Sequence, residues 1–519
     1  MNKNKLTIAK RTLLSLSIGI LISCSNQDDA SSNANDDSLA DLQAVADMAA
    51  NMAGTAEQDK GLPGRYQLEN PLPISEKGQW FKNAGLGLFI HWGPASVPDI
   101  EDVWRMRQAT KGDPSQPKVI PEDYYNRAPK GFTAANYDPD KWLSAAKKAG
   151  FKYTVLTSKH HDGYTLWPSK HTDLGVQKYL GGRDLIQPFV DAANNNDMKY
   201  GFYFSAVDWH KDKGYMNYKW GQGLGWDFYG KPLNPKTVPA LPLEIVEEER
   251  QMAFEVMSQY KPDIWWWDTG LPVSYEETAL KYNPDMLFNN RGNWYHDGKN
   301  QGKFPGSHYV TPEGFHTLEW QHVKKLIEQG TPWEVCMTFN RSGWFYHANS
   351  DLGNQTADLT DILYALARIR SWQGNMLLNM SPREDGTLPP ANYEAMEKMS
   401  DWMAWADVSV FDTKGTHFPE QSNVPITTST DGKTWYLHAR PGAQEDFKSW
   451  GRWKKPYYTD TQPGQPIKVQ DVPAVTSVTL LRTGKAIEFS YKDGELVIDN
   501  PEAGPNGLHE VIKLTFSES

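Results

Sequence analysis

The sequence predicts an α/β fold in which a (β/α)8-like barrel is followed by a C-terminal β-sandwich domain. Two observations indicate this order. From residue 64 to residue 408, short and almost continuously apolar runs alternate with helical patterns, which is typical of parallel strands covered on both faces. From residue 409 to residue 519, helical periodicity gives way to short runs separated by turn signals, as in an all-β sandwich.

Seven apolar runs are the predicted strands of the barrel. They lie at 86–92, 153–158, 200–205, 263–268, 286–291, 333–339 and 375–381. Four helical patterns fit between them, at 138–150, 185–196, 243–260 and 359–373. Asp138 or Asp140 would cap the first of these helices, and Gly150 would end it. An open doubly wound sheet is the alternative fold, but no glycine-rich phosphate-binding fingerprint follows any of the runs.

The predicted strands of the sandwich come after the last helical pattern. They lie at 434–440, 474–484, 486–500 and 510–516, with Asp-Gly turn signals at 431–432 and 493–494. These runs show no helical periodicity, so we expect an all-β sandwich of about 110 residues.

The N-terminal residues are predicted to be a targeting signal, residues 1–23, rather than part of the fold. A basic start precedes the apolar run 13–22, which is too short to span a bilayer. The run ends in Leu-Ile-Ser-Cys at 21–24, which resembles a bacterial lipoprotein processing site and implies a lipid on Cys24. An acidic polar tether follows over residues 24–63. We therefore expect a lipid anchor in the bacterial cell envelope, at the periplasmic or surface side of the outer membrane; an ordinary secretory signal is the alternative.

Composition excludes some classes of partner and site. The formal net charge of −11 argues against nucleic acid, because phosphate binding needs clustered Lys and Arg. Cys24 and Cys336 are the only cysteines, which excludes a zinc site built from thiolates and, once Cys24 carries lipid, an internal disulfide. The 21 Trp, 24 Tyr and 19 Phe agree with a sugar-binding cleft without establishing one.

Polar side chains end five consecutive predicted strands of the barrel. The residues are His91, Lys159-His160-His161-Asp162, Asp208-Trp209-His210, Asp268 and Asn290-Arg291. The C-terminal ends of barrel strands meet at one face, where the active sites of such barrels lie. One polar residue at a strand end is usually an ordinary loop residue, but five together predict a functional site.

Three tryptophans stand directly before Asp268 in the stretch KPDIWWWDTGLP, residues 261–272. Side chains alternate along a strand, so Trp266 shares a face with Asp268, while Trp265 and Trp267 point toward the covering helices. Trp266 would then line a cleft beneath a carboxylate. The alternative is that all three rings are core and that Asp268 caps a helix.

Glycoside hydrolysis uses two carboxyl groups, one that attacks or activates water and one that protonates the leaving oxygen. Glu313 and Glu334 are the candidates for the second group beside Asp268. Glu313 lies in a predicted loop that can swing into the cleft. Glu334 begins an apolar strand, which suits a buried structural carboxylate better than a proton donor.

Six stretches of the barrel resemble the successive signatures of the α-L-fucosidases of glycoside hydrolase family 29. They are GLGLFIHWGPASVP, TSKHHDGYTLW, YGFYFSAVDWH, PDIWWWDTG, PWEVCMTFNRSGWFY and GNMLLNMSPREDGTLP, in family order between about residues 80 and 405. The resemblance implies a retaining, exo-acting enzyme that hydrolyses terminal α-L-fucosyl residues of a fucosylated glycan without metal or cofactor. It also implies a barrel followed by a β-sandwich.

The resemblance implies roles for individual residues. Asp268 matches the nucleophile, and Glu313, in Thr-Pro-Glu, matches the acid/base. The other matched positions bind the sugar or support the nucleophile: His91, His160 and His161 (sugar hydroxyls), Arg291 (keeping Asp268 ionised), Trp266 and Trp344 (apolar surface against the sugar ring and its methyl group) and Tyr203 (a hydrogen bond to the nucleophile).

One stretch departs from the family pattern. The family commonly has a Glu-Trp pair after the first strand, but here the sequence reads DIEDVWRMR, residues 99–107. If Trp104 aligns, Val103 takes the place of the Glu, and Glu101 or Asp102 must substitute for it. A modified sugar, such as sulfated fucose or L-galactose, is therefore an alternative substrate, and Arg105 and Arg107 would suit an anionic substituent or be ordinary solvated residues.

Two further functions are alternatives to the fucosidase. A surface glycan-binding protein that has lost catalysis would not need both Asp268 and Glu313. A metal-dependent hydrolase could use His160, His161 and Asp162. Adjacent residues on a strand point to opposite faces, however, so this triplet is expected to be poor geometry for one ion.

Overall fold

The computed structural model describes most of the chain from residue 72 onward. The described residues are 72–98, 121–206, 208–211, 243–268, 275–293, 307–312, 320–340, 343–347, 358–415, 421–439 and 465–517. Within these ranges, no helix is long and apolar enough to cross a membrane.

The N-terminal part of the fold is a curled sheet of seven parallel strands, as predicted. The strands are β1 (Leu86–Ile90), β2 (Tyr153–Lys159), β3 (Lys199–Ser205), β4 (Ile264–Asp268), β5 (Leu287–Phe288), β6 (Glu334–Thr338) and β7 (Asn375–Asn379). Their order is β5-β4-β3-β2-β1-β7-β6. Almost every residue of these strands is buried, because helices cover the outer face and side chains fill the inner one.

Residues 307–312, called the closing segment below, join the two ends of this sheet. Tyr309 pairs in parallel with Asn289, just after β5, and Val310 pairs in parallel with Trp333, just before β6. The backbone N–H of His308 donates to Phe288 O at 2.9 Å, and that of Glu334 donates to Val310 O at 2.9 Å. The closing segment thus supplies the eighth position of the barrel wall.

Nine helices of the described chain surround or follow the strands. They are α1 (Pro121–Gly131), α2 (Pro139–Lys148), α3 (Val176–Tyr179), α4 (Ile186–Asn195), α5 (Leu243–Tyr260), α6 (Tyr275–Tyr282), α7 (Trp320–Glu328), α8 (Leu359–Ser371) and α9 (Pro390–Ala406). All four predicted helices are present. Asp138 is the cap of α2, since its Oδ1 accepts from Lys141 N at 3.2 Å, and Gly150 follows with a left-handed φ of +96°.

The C-terminal part is a pair of antiparallel sheets. Five strands form one sheet in the order β12-β15-β10-β9-β8 and three form the other in the order β11-β14-β13. The strands are β8 (Thr413–Gly415), β9 (Ile426–Ser429), β10 (Thr434–Ala439), β11 (Ile467–Val469), β12 (Val475–Leu480), β13 (Phe489–Lys492), β14 (Glu495–Ile498) and β15 (Glu510–Phe516). Side chains from both sheets, including Leu437, Leu496 and Leu514, form one buried core. The fold is therefore a barrel followed by a β-sandwich, as the sequence predicts.

Candidate active site

Asp268 is the last residue of β4 and lies at the C-terminal end of the barrel, with 6% of its surface exposed. Its Oδ1 accepts from Arg291 Nε at 3.1 Å and from Arg291 Nη2 at 2.5 Å. Its Oδ2 accepts from the hydroxyl of Tyr203 at 2.8 Å. His161 Nε2 lies 3.6 Å from the same oxygen. The Arg291 guanidinium and the Tyr203 hydroxyl therefore fix the direction of the Asp268 carboxylate, and the His161 imidazole lies beside it.

The three tryptophans before Asp268 divide as the alternation predicts. Trp266 points into the barrel, where its ring stacks on Tyr203 at 5.4 Å and the guanidinium of Arg291 lies 4.8 Å above it. Trp265 and Trp267 lie on the outer side, where both contact Phe204. Only 2% of Trp266 is exposed, so its ring supports the side chains that hold Asp268.

Two histidines at the ends of β1 and β2 share the inner face of this site. His91 Nδ1 lies 2.8 Å from Asn379 Oδ1, which sets the orientation of its ring. His160 stacks on Tyr203 with ring centroids 5.3 Å apart. Burial lowers the pKa of His91 to about 4 and the pKa of His160 well below its usual value, so both rings are neutral near pH 7.

His160 and His161 lie side by side rather than on opposite faces, and that expectation was wrong. Their ring centroids are 4.3 Å apart. The reason is that β2 ends at Lys159 after a shift in register, and the chain then turns, so strand alternation no longer applies. Among the described residues, no group of three His, Cys, Asp or Glu side chains is arranged to hold a metal ion.

Trp344 supplies a partly exposed aromatic ring beside the histidines. Its ring centroid lies 4.9 Å from that of His91. Its backbone oxygen accepts from Asn379 Nδ2 at 2.8 Å and from Ser381 Oγ at 2.5 Å. Both donors belong to or follow β7, so the far wall of the site is fixed to the barrel.

Glu334 is fully buried inside the barrel and is unsuited to protonate a leaving group. Its Oε2 accepts from the Tyr153 hydroxyl at 2.5 Å and its Oε1 accepts from Trp266 Nε1 at 3.0 Å. Burial raises the pKa of Glu334 to about 7. It stands at the first residue of β6, the end of the strand opposite to the site. The structure therefore favours the interpretation of Glu334 as a structural carboxylate.

Several predicted residues lie outside the described residues. They are Glu313, the candidate acid/base, and Glu101, Asp102, Val103, Trp104, Arg105 and Arg107 of the divergent stretch, together with Cys24. The described chain does reach Pro312, the residue immediately before Glu313. Thr311 N donates to Asn290 Oδ1 at 2.9 Å, which ties the end of the closing segment to the neighbour of Arg291.

Sequence reasoning missed Asn379, Ser205 and Phe345. Asn379 orients His91, and Ser205 Oγ lies 2.6 Å from His161 Nδ1. Phe345 is buried against both His91 and His160. Ser205 ends a predicted strand and Asn379 lies two residues before the end of another, so the strand-end pattern points to their positions but not to the histidines that they contact.

The sequence model of the α-L-fucosidase family matches residues 60–407 of the chain. Among relatives, tissue α-L-fucosidase of Bos taurus is 29% identical over 378 residues, which cover 69% of this chain and 73% of that protein. The tissue α-L-fucosidase of Homo sapiens is 26% identical over 398 residues, or 73% of this chain and 76% of that protein.

Solved structures show the same fold. Alpha-L-fucosidase isoenzyme 1 from Paenibacillus thiaminolyticus matches with a TM-score of 0.61 and 24% identity over 85% of this chain and 99% of that chain. A family 29 α-L-fucosidase from Bacteroides thetaiotaomicron, trapped as a covalent intermediate, matches with a TM-score of 0.64 and 22% identity, over 88% and 99%. Because the family model covers most of the sequence, the chain belongs to the α-L-fucosidases of glycoside hydrolase family 29.

Proposed function

We propose that this α-L-fucosidase is a retaining, exo-acting enzyme in which Asp268 is the nucleophile. The observation that carries the proposal is the convergence of Arg291, Tyr203 and His161 on one buried carboxylate at the mouth of the barrel. Donors of this kind hold a carboxylate in one direction, as an attack on a sugar carbon requires. The substrate is a terminal α-L-fucosyl residue of an oligo- or polysaccharide.

In the first step, a carboxylate oxygen of Asp268 bonds to the anomeric carbon as the bond to the leaving oxygen breaks. Glu313 gives its proton to that oxygen. In the second step, Glu313 takes a proton from water, the water oxygen bonds to the anomeric carbon, and Asp268 leaves as the free carboxylate. Two inversions at one carbon release fucose with its α configuration retained.

The assignment of Glu313 as acid/base is supported by its place in the chain. It follows directly on the closing segment, whose Thr311 is hydrogen-bonded to Asn290 next to Arg291. Glu334 is the other candidate, but its two carboxylate oxygens accept hydrogen bonds from Tyr153 and Trp266 in the barrel interior. A retaining reaction places the two carboxyl groups about 5 to 5.5 Å apart.

The sugar would lie among the histidines on the side of Asp268 that faces the barrel mouth. His91 and His160 are neutral imidazoles and can exchange hydrogen bonds with hydroxyl groups. Among the residues that the structure describes, the buried His160 Nδ1 has no hydrogen-bond partner, which leaves it available to a sugar hydroxyl. Trp344 is partly exposed and can cover an apolar sugar face.

The test is hydrolysis of an aryl α-L-fucoside by Asp268→Ala and by the wild type. We expect the variant to lose at least a thousandfold in kcat/KM while its far-UV and near-UV circular dichroism stay unchanged. NMR of the wild-type reaction should show α-fucose as the first product. First-formed β-fucose, or full turnover by Asp268→Ala, would contradict the proposal.

We also propose that the enzyme is anchored in the cell envelope through a lipid on Cys24. The support is the processing-site pattern at residues 21–24 after a basic start and a short apolar run. In a bacterial expression host, mass spectrometry should find diacylglycerol on the N-terminal cysteine of the mature wild type. Cys24→Ala should not be processed or lipidated at this position; an unmodified wild-type N-terminus would refute the anchor.

A further inference from the structure

A buried ionic cluster lies behind His161, formed by Lys159, Asp208 and Glu249. Each of the three residues is 1% exposed. Lys159 Nζ is 2.7 Å from Glu249 Oε2 and 4.0 Å from Asp208 Oδ2. Lys159 ends β2, Asp208 follows β3, and Glu249 comes from α5, so the cluster joins two strands to a covering helix.

Such a cluster is not explained by stability alone. Removing charged groups from water costs several kcal/mol per ion, and well-packed apolar side chains of the same size are often as stable. Its place is the C-terminal end of the barrel, beside the site. None of the three side chains has a role in the proposed reaction, so the structure leaves their chemistry unassigned.

The contacts of Lys159 lead directly to the nucleophile. Besides Glu249, its Nζ donates to Ser205 O at 2.8 Å. Ser205 Oγ lies 2.6 Å from His161 Nδ1, and His161 Nε2 lies 3.6 Å from Asp268 Oδ2. An unbroken series of contacts therefore runs from α5 to the carboxylate of Asp268.

Asp208 holds the other side of His161. Its Oδ1 accepts from the backbone N–H groups of His210 and Lys211, which fixes the turn that carries Trp209. Trp209 N donates to His161 O at 2.7 Å, and the Trp209 ring packs 5.0 Å from the imidazole. The cluster thus supports His161 through Ser205 on one side and through Trp209 on the other.

We propose that Lys159 and Glu249 are positioning residues, which hold Ser205 so that the His161 imidazole keeps its orientation toward Asp268. The inference rests on the proposed role of Asp268 as nucleophile. Loss of the Glu249 carboxylate removes one of the groups that hold the Lys159 ammonium in place. Ser205 then loses its fixed position, and the imidazole that it orients is no longer held.

The experiment is a double-mutant cycle on kcat/KM for an aryl α-L-fucoside, with Ser205→Ala and Glu249→Met. If both residues act through His161, each single change lowers kcat/KM about tenfold, and the double variant is about as impaired as either one. Independent structural roles would give about a hundredfold loss in the double variant. Such additivity, or single variants as active as the wild type, overturns the proposal.

Glu247→Met is the matched control on the same helix. Glu247 pairs with Arg250 of the same helix at 2.6 Å, so kcat/KM should stay within twofold of the wild type. If Glu249→Met does not fold, Ser205→Ala decides alone. It removes one oxygen and should lower kcat/KM about tenfold with an unchanged melting temperature, whereas wild-type kcat/KM overturns the proposal.

The proposed function fails separately. Retained activity in Asp268→Ala would refute the nucleophile, whatever the cycle shows. An inactive Asp268→Ala with an additive cycle refutes only the positioning role of Lys159 and Glu249.

Discussion

Asp268 is held by residues from three neighbouring parts of the barrel: Tyr203 on β3, Arg291 after β5 and His161 after β2. Tyr203 stacks on both Trp266 and His160 and is fully buried, so its hydroxyl has little freedom to move away. Burial, and then the nearby Asp268, raise the pKa of Tyr203 well above its usual value. The tyrosine is therefore protonated near neutral pH and can donate to Asp268.

Tyr203→Phe is expected to lower kcat/KM about 10- to 100-fold. A hydrogen bond to a charged group contributes about 1.5–3 kcal/mol, and about 1.4 kcal/mol corresponds to a factor of ten. Steady-state hydrolysis of an aryl α-L-fucoside measures the effect. Tyr200→Phe is the control, because the Tyr200 hydroxyl donates to Tyr260 O at the other end of the same strand. Equal activities of the two variants would show that the bond to Asp268 is unimportant.

Sequence reasoning located Asp268 and the residues that touch it, since a polar residue that ends an apolar strand is visible in the sequence. It did not locate the residues behind them. Asn379 and Ser205 act on histidines 288 and 44 positions away, and such pairs depend on the register of neighbouring strands. Local patterns carry no information about that register.

The closing segment is an element of the barrel that local sequence patterns could not predict. Seven strands are visible in the sequence as apolar runs, but the closing segment contributes only two bridged residues, Tyr309 and Val310, too few to form a pattern. Glu334 links elements across the interior, because it joins β6 to Tyr153 on β2 and Trp266 on β4. Gly87 on β1 makes room for this link, since a Cβ there would lie 2.3 Å from the Tyr153 ring.

Glu334→Ala is expected to lower the free energy of unfolding by about 2–6 kcal/mol. The substitution leaves two buried donors, the Tyr153 hydroxyl and the Trp266 indole N–H, without their acceptor. Each unsatisfied group costs about 1–3 kcal/mol. Chemical denaturation gives the value. Glu328→Ala is the control, because Glu328 is exposed on α7 and should change stability by less than about 0.5 kcal/mol.

The same variant also separates structure from catalysis. If Glu334→Ala loses activity, the loss relative to the wild type should be equal for aryl fucosides with good and with poor leaving groups. A stable protein that has lost activity only toward poor leaving groups would instead assign Glu334 as the general acid.

In the whole molecule, the barrel and the sandwich meet at a buried pair of histidines. His438 Nδ1 on β10 lies 3.3 Å from His509 Nε2, and the Trp402 side chain on α9 donates to His509 O at 3.0 Å. Burial lowers the pKa of His438 to about 3 from an ordinary value of 6.5. The folded state therefore keeps this ring neutral where the unfolded chain protonates it.

This difference makes His438 a source of acid sensitivity. Below pH 6.5 the unfolded chain binds a proton that the folded protein does not, so stability falls as pH is lowered toward 3. His438→Gln should remove about 2 kcal/mol of the destabilisation between pH 7 and pH 5. The pH dependence of the variant must be compared with that of the wild type, because other groups also titrate between pH 7 and pH 5. Burial raises the pKa of Glu334 to about 7, so that residue increases stability as pH falls.

Urea unfolding at pH 7 and pH 5 measures this prediction. His171→Gln is the matched control for the substitution itself, because His171 is partly exposed rather than buried. A His438→Gln protein with the same loss between the two pH values as the wild type would show that the interface does not sense protons.

We propose that Asp268 forms the covalent bond to the sugar. The most direct measurement is mass spectrometry of the enzyme after incubation with 2-fluoro-fucosyl fluoride, the compound in the trapped Bacteroides enzyme. We predict one fluorofucosyl group per chain, on the peptide that contains Asp268, and no labelling of Asp268→Ala. A label on another carboxylate, or an active wild type that is never labelled, would contradict the account.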